Sequence, residues 1–463
     1  MSPTVQHKAC DICHNKKKKC LTDPGSLACT RCHKFSLVCT TSRDQLRAGR
    51  PPKQVVLGNH SLGVWDYTAA MRRKASEKLP DQSHSVPETG SLRDQELCCK
   101  PLQYLSYSPV TLSEENFYLL SDIYMLGPTF AKDFRRALQY CHFHSPEMLE
   151  EMYLALGSCL SWARFGLLTA DQIDISSGAA AVNKLRNINI QTACDALGCL
   201  MLGQALAAFN SLILSTGTIA ILRFSLSLFR PWYPDVARVR FLEPITIAPI
   251  FWDTIWCLLH REVPVIRPIL SCNGVIDRVA GLCTSLLPTL YDLCVFSLAQ
   301  ENGQECGNTL DEIEQEVRGW TPDESSLSKY TVLEMLSITT QATMYREAAL
   351  LLIHWHRKPL TGCDAVATAL ANEILAAKAR FFAIAGPSAK LQHSVLPTFL
   401  ALLQVSRPEE EDAWEISTLL RTRPACADGL VAFHNYVWEQ RRLGFSGSLF
   451  DLIENGPDFL CVP

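Results

Sequence analysis

The stretch CDICHNKKKKCLTDPGSLACTRCHKFSLVC, residues 10–39 of 463, decides how the N-terminal part of this chain folds. Its cysteines fall as Cys10-x2-Cys13-x6-Cys20 and then, after eight intervening residues, as Cys29-x2-Cys32-x6-Cys39. One unit occurs twice, which predicts a pseudo-two-fold arrangement. Apolar residues are scarce here, with little beyond Ile12, Leu21, Leu27, Phe35, Leu37 and Val38 to bury. Segments below about 40 residues rarely fold on burial alone and draw on metals or disulfides. Thiolates favour zinc, and a structural zinc takes four ligands in a tetrahedron, contributing roughly 10–16 kcal/mol in zinc-finger peptides. Six cysteines serve one ion with two left over, or two ions if two sulfurs are shared. The duplicated spacing favours two Zn2+ ions per chain, held by Cys10, Cys13, Cys20, Cys29, Cys32 and Cys39.

Around this stretch the charge is uneven. Residues 1–53 carry eleven Lys and Arg against three Asp, while the rest of the chain carries 32 basic and 44 acidic side chains. A basic head on an acidic body points to nucleic-acid contact by the head. The N-terminus MSPTVQHKACDICHNKKKKC has no apolar run of the kind an export signal needs, so disulfides are not expected and the clustered cysteines read as metal ligands. The other fourteen cysteines share no spacing and read as buried thiols. The adjacent Cys98 and Cys99 have no neighbour in sequence that would activate them.

Ala196 to Leu222 holds no charged residue and is long enough to cross a bilayer. Its Gln204, Asn210, Ser211 and three glycines, with no basic cluster at either flank, favour a buried helix, and no membrane partner is expected.

Residues 75–91 (ASEKLPDQSHSVPETGS) are polar and contain Pro80, Pro87 and Gly90, the composition of a linker across which few contacts are expected. From about Val110 the chain turns Leu/Ala-rich. Met335, Ile338, Ala342, Tyr345, Ala349 and Leu352 follow helical spacing and predict a helix that ends before Pro359. Val366, Leu370, Ile374, Ala377, Phe381 and Ile384 predict a second, capped by Asp364 and stopped at Gly386-Pro387. Sustained alternating apolar runs are missing, so the body reads as all-α. The fold class is therefore a small zinc-stapled module with two short helices, a linker, and a large all-α domain. Glu409 to Asp412 reads as a solvated helix start. Phe450 to Leu460 mixes acidic and bulky apolar residues, as activation segments do, though packing onto the body is the stronger expectation. No G-x-S-x-G, G-x-G-x-x-G, P-loop or H-E-x-x-H is present, so no catalytic residue is assigned and the chain is not expected to be an enzyme. Cys141-His142-Phe143-His144 and His354-Trp355-His356 lack a partner pair and read as ordinary helix surface rather than a second metal site.

CDICHNKKKKC followed by CTRCHKFSLVC resembles the Zn(II)2Cys6 binuclear cluster of fungal transcription factors, C-x2-C-x6-C twice with basic residues in the first x6. The resemblance implies that Cys10 and Cys29 bridge the two ions and that Pro24 is the loop proline. It also implies that a short helix after each cysteine pair approaches the major groove, with Lys16 and Lys17 meeting a CGG triplet. Lys18, Lys19, Arg31 and Lys34 then fall to phosphates. His14 stands where the family commonly has Arg, a departure that predicts modest affinity. Ala48 to Lys53 (AGRPPK) is similar to the core of a minor-groove AT-hook but lacks its first Arg, and a basic linker is the expected role. Residues 54–110 show no heptad seam, so the coiled-coil dimer common in the family is not expected and dimerisation stays open.

Tyr345-Arg346-Glu347-Ala348-Ala349-Leu350 and Phe251-Trp252-Asp253 resemble the fungal-specific regulatory domain found behind such clusters. The organisation expected is residues 6–45 as the DNA-binding domain, 46–110 as a linker with a basic start, and 111–463 as the all-α regulatory domain. By resemblance the chain is a nuclear, zinc-dependent regulator of RNA polymerase II transcription. It would bind double-stranded DNA at CGG-type sites and engage the transcription machinery. Short members of the family often serve one biosynthetic gene cluster, so control of a secondary-metabolite cluster is the pathway expectation. The alternative from another class is an enzyme that uses the cluster as a DNA anchor, with its site in the helical body.

Overall fold

The computed structural model describes residues 9–15, 18–22, 28–35, 37, 39–40, 113–165, 170–214, 216–270, 274–304, 309–360, 364–405 and 409–462. The linker, the AGRPPK stretch, the absent heptad seam, Cys98, Cys99, Lys16, Lys17 and Pro24 lie outside them. Among the described residues there is no β-strand, only an isolated bridge between Asp277 and Gly281.

The head contributes two single-turn helices, α1 (Asp11–Asn15) and α2 (Thr30–Lys34). The body begins with α3 (Glu114–Ser121), α4 (Ala131–His144), α5 (Pro146–Leu160), α6 (Ile175–Asn187), α7 (Ala193–Ile213) and α8 (Thr218–Phe229). It continues through α9 (Tyr233–Val236), α10 (Glu243–His260), α11 (Leu287–Glu301) and α12 (Leu310–Gly319). It closes with α13 (Val332–Arg357), α14 (Ala365–Ala385), α15 (Val395–Gln404), α16 (Glu409–Leu419), α17 (Pro424–Arg442) and α18 (Leu449–Asn455).

Helix starts follow their sequence signals. Thr192/Asp195, Thr309/Glu312, Thr331/Glu334 and Ser448/Asp451 each form a reciprocal capping box, which satisfies two otherwise orphaned backbone donors. Glu334 does more than cap, since it also accepts from the Thr129 backbone N–H at 2.8 Å and its hydroxyl at 2.7 Å. That ties the start of α13 to the turn before α4.

The charge-free stretch 196–222 is two helices rather than one. Gly217, at φ 78°, breaks the run, and α8 folds back on α7. At Gly203 an added Cβ would meet the Ser225 side chain at 2.1–2.2 Å, so the two helices approach more closely than any other residue allows. α7 is packed by α4, α5, α6, α8 and α17, which is why it is apolar on all sides. Among the described residues, three stretches, 193–213, 240–260 and 282–301, are long and apolar enough to cross a membrane; 89% of the apolar window in the first is buried inside the protein.

The stripe expected on α13 is the buried one from Ile338 to Leu352, with Met335 half-buried, and the helix stops at Arg357 before Pro359. On α14 the cap (Asp364) and stop (Gly386) are as expected, but the face differs at both ends. Val366 and Ile384 are exposed, at 52% and 71%, and the buried stripe is Ala367, Ala371, Ile374, Ala377 and Phe381. α14 packs against α13, and its small alanines at the start let the axes approach while the larger Val366 is left on the flank.

The two strings that resemble a regulatory domain meet in the core. The rings of Phe251 on α10 and Tyr345 on α13 lie 5.3 Å apart. Asp253 is buried, accepts from the Val265 backbone N–H at 2.6 Å and pairs with Arg223 Nε at 3.2 Å. The acidic run at 409–412 is only partly solvated: Glu410 and Glu411 are exposed, but Asp412 is fully buried and meets buried His434 Nε2 at 3.0 Å. A helix start laid against α17 turns one side inward, so the burial of Asp412 is set by a neighbour distant in sequence. The tail packs onto the body. Phe459 stacks near Phe433 at 4.4 Å, and Phe450 sits under His356 at 4.4 Å and Arg261 at 4.7 Å. The described body cysteines are all free thiols, buried except for half-buried Cys194.

Candidate metal centre

The duplicated spacing builds a two-fold arrangement in which four backbone N–H contacts are repeated nineteen residues later. Asp11 N–H donates to the Thr40 carbonyl and Thr30 N–H to the Leu21 carbonyl, both at 2.8 Å. Lys18 N–H donates to the Cys13 carbonyl and Leu37 N–H to the Cys32 carbonyl, both at 2.9 Å. Cys13 N–H reaches Cys10 Sγ and Cys32 N–H reaches Cys29 Sγ, both at 3.4 Å. Cys10 N–H reaches Cys20 Sγ at 3.4 Å and Cys29 N–H reaches Cys39 Sγ at 3.3 Å. Each Cys-x2-Cys thus opens a helical turn that points its amide donors at sulfur, and each x6 loop brings a third sulfur to the same place. Such amide donors orient thiolates and spread their charge.

The sulfurs fall into two groups of four, Cys10, Cys13, Cys20 and Cys29, and Cys10, Cys29, Cys32 and Cys39, with all ligand atoms of a group within 4.8 Å of one another. Cys10 and Cys29 belong to both, 3.8 Å apart. Cys10–Cys32 and Cys13–Cys29 are each separated by 3.6 Å. Metal–sulfur bonds of about 2.3 Å in a tetrahedron require sulfurs about 3.8 Å apart, so each group fits a tetrahedral thiolate site. Four of the six cysteines are buried, Cys10, Cys13, Cys29 and Cys32, while Cys20 and Cys39 are half-buried.

The thiols do not titrate alike. Burial pushes Cys13, Cys20 and Cys32 up. Burial also works against ionising Cys29, but the Cys32 N–H and the Cys32, Cys13 and Cys10 thiols turned toward it prevail and bring it down to about 6. Cys29, shared by both groups, is thus held below the ordinary thiol range, where Cys13, Cys20 and Cys32 are held above it.

Among the residues expected at DNA, Lys18, Lys19 and Lys34 are exposed, and Lys34 Nζ lies 5.4 Å from the Phe35 ring centroid. Lys16 and Lys17 fall outside the described residues. Arg31 is different: its Nη2 donates to Glu454 Oε1 at 2.9 Å and Asn455 Oδ1 at 2.8 Å, at the end of α18. The linker composition led us to expect few contacts between head and body, and this is one. Nothing in the sequence pairs residue 31 with residues 454 and 455, because the contact is made by tertiary placement.

The two histidine strings serve packing. His142 is buried beside Tyr153, with ring centroids 5.9 Å apart, and His144 bonds the Tyr140 carbonyl at 2.9 Å. His354 meets Asp364 at 2.7 Å and His356 meets Gln300 at 2.9 Å. Among the described residues, groups that could hold a metal occur only in the head. No family model, curated protein or solved structure matches the chain.

Proposed function

We propose that this chain is a zinc-dependent, sequence-specific DNA-binding regulator of transcription that works in the nucleus, with a Zn(II)2Cys6-type head and a helical regulatory body. The observation that carries the reading is the pair of four-sulfur groups sharing Cys10 and Cys29, inside a segment with an excess of basic residues.

Zinc bound in both groups would supply the folding energy that the thin apolar core of the head lacks. The chain's own residues do the rest. Six thiolates and two divalent ions leave two negative charges, fewer than the head's basic excess, so the head stays cationic. Lys16 and Lys17 follow α1 and present ammonium donors to the O6 and N7 acceptors of a guanine pair in a CGG-type site. Lys18, Lys19, Arg31 and Lys34 hold phosphates and set the register. The acidic body stays off the duplex and engages the transcription machinery.

The test uses the purified full chain. Elemental analysis should give two zinc per chain, and a CGG-containing duplex should bind more tightly than a scrambled one at equal salt. Cys10→Ser should abolish that preference. One zinc or none, or a preference that survives Cys10→Ser, refutes the reading.

A further inference from the structure

The geometry points to a docking surface on the body for the head itself: the end of α18 holds Arg31 and withholds it from the DNA backbone. This rests on the DNA-binding reading above.

Among the described cations of the head, Arg31 is the one whose side chain is mostly covered, at 20% exposure; besides Phe35 on its own element, it meets Glu454 and Asn455. Asn455 is buried at 4% exposure. Its Nδ2 donates to the Asp451 carbonyl at 2.7 Å, which fixes the amide with Oδ1 facing Arg31. Glu454 supplies the charge at 2.9 Å. The cation also arrives at a helix C-terminus, where unpaired carbonyls leave partial negative charge. The α2 cation of the head thus meets the end of α18 through two hydrogen bonds, one of them charged.

From this position Arg31 cannot offer a phosphate a two-pronged grip: Nη2 spends both its hydrogens on the receptor and Nε is buried, which leaves Nη1 alone. A duplex at Arg31 would also bring its phosphates against the Glu454 carboxylate. The chain therefore has a closed form, with Arg31 on α18, and an open form that can use all its phosphate contacts. DNA selects the open form, and its apparent affinity is lowered by the fraction of molecules that are open. With the pair partly exposed, the contact is weak enough to exchange.

The experiment uses the zinc-loaded full chain and changes only the body. Glu454→Lys and Glu454→Gln alter an exposed carboxylate and leave every proposed DNA contact in place. Two quantities are read: hydrogen exchange of residues 449–455 and 29–35, and affinity for a CGG duplex by fluorescence anisotropy. The expected result is faster exchange in both segments and DNA binding tighter by roughly 3–10-fold for Glu454→Lys, less for Glu454→Gln. Combining Arg31→Glu with Glu454→Lys should restore slow exchange. Unchanged exchange in Glu454→Lys overturns the docking. Faster exchange with unchanged DNA affinity overturns the competition while leaving the DNA-binding reading standing. If exchange responds but neither wild type nor variant binds the duplex at low salt, the DNA-binding reading fails, and the masking of DNA fails with it.

Discussion

Replacing Cys29 by serine and, separately, Cys39 by serine distinguishes a shared-sulfur cluster from a single site with spare thiols. Cys29 belongs to both four-sulfur groups, whereas Cys39 belongs to one. Cys39→Ser leaves Cys10, Cys13, Cys20 and Cys29 as a full tetrahedral set, so one ion should remain. Cys29→Ser leaves three cysteines in each group and also removes the sulfur that receives the Cys32 N–H. Each structural zinc is worth roughly 10–16 kcal/mol to a small domain. Among the described residues of the head, the buried apolar side chains outside the cysteines reduce to Leu37, worth roughly 1.5–3 kcal/mol, with Ile12 and Phe35 half-buried. Burial cannot make up for either loss, so the two variants should differ in kind. Elemental analysis of the full chain should read two zinc for wild type, one for Cys39→Ser and fewer than one for Cys29→Ser. Hydrogen exchange should show the first half of the head still protected in Cys39→Ser and both halves open in Cys29→Ser. Equal zinc content in the two variants would refute the sharing of Cys29.

Asp412→Ala removes the buried carboxylate that faces His434 Nε2 at 3.0 Å and leaves that nitrogen only the Trp438 indole N–H, a loss of roughly 1–3 kcal/mol for a buried polar partner; denaturant unfolding of the full chain should show it, with Asp412→Asn in between. His356 is brought down to about 3, first by burial and then by Arg261, so it is neutral when folded. Its contribution is whole above the unfolded value of about 6.5 and is lost as pH falls toward 3, by at most about 1.4 kcal/mol per pH unit. His356→Gln should flatten the fall in denaturation midpoint between about pH 6.5 and 4 relative to wild type, and an unchanged slope would contradict the assignment. Lys17→Ala should cost roughly 1–3 kcal/mol at a CGG site and little on scrambled DNA, whereas Lys34→Ala should weaken both alike and lower the salt slope by about 1. Equal losses on both duplexes for Lys17→Ala would exclude base readout.

What could be read from sequence follows the range of the forces involved. The metal centre was legible because ligand spacing is local: a helical turn and a six-residue loop bring Cys10, Cys13 and Cys20 together, and the repeat does the same for Cys29, Cys32 and Cys39. The long helices were legible where caps and periodicity agree, as at Asp364, Gly386 and the stripe from Ile338 to Leu352. Features that depend on a partner element were not. The Val366 flank is set by how α14 lies on α13, and the burial of Asp412 is set by His434 on α17. The break at Gly217 lay in plain view, but a run without charges was read as one segment because hydropathy averages over a turn that a single left-handed residue creates.

The charge division and the Arg31 contact belong to one argument. A body with more acidic than basic groups is repelled by DNA, and the same excess draws the basic head toward it. An exposed Arg–Glu pair between separate molecules would matter little, at roughly 0.2–1 kcal/mol. Here both partners belong to one chain, so the contact does not depend on protein concentration, and the second bond, from Arg31 to Asn455, adds to a docking already confined in space. On the proposed reading, DNA would compete with several phosphates at once, and its advantage would fall steeply with salt, while a half-covered pair is screened less. Raising salt should therefore favour the closed form over the DNA-bound one more strongly in wild type than in Glu454→Lys, so the affinity gain of that variant should persist at about 0.15 M salt. An affinity gain that vanished at that salt would mean that Glu454 acts only as part of the body's diffuse field and not through the bond it accepts from Arg31.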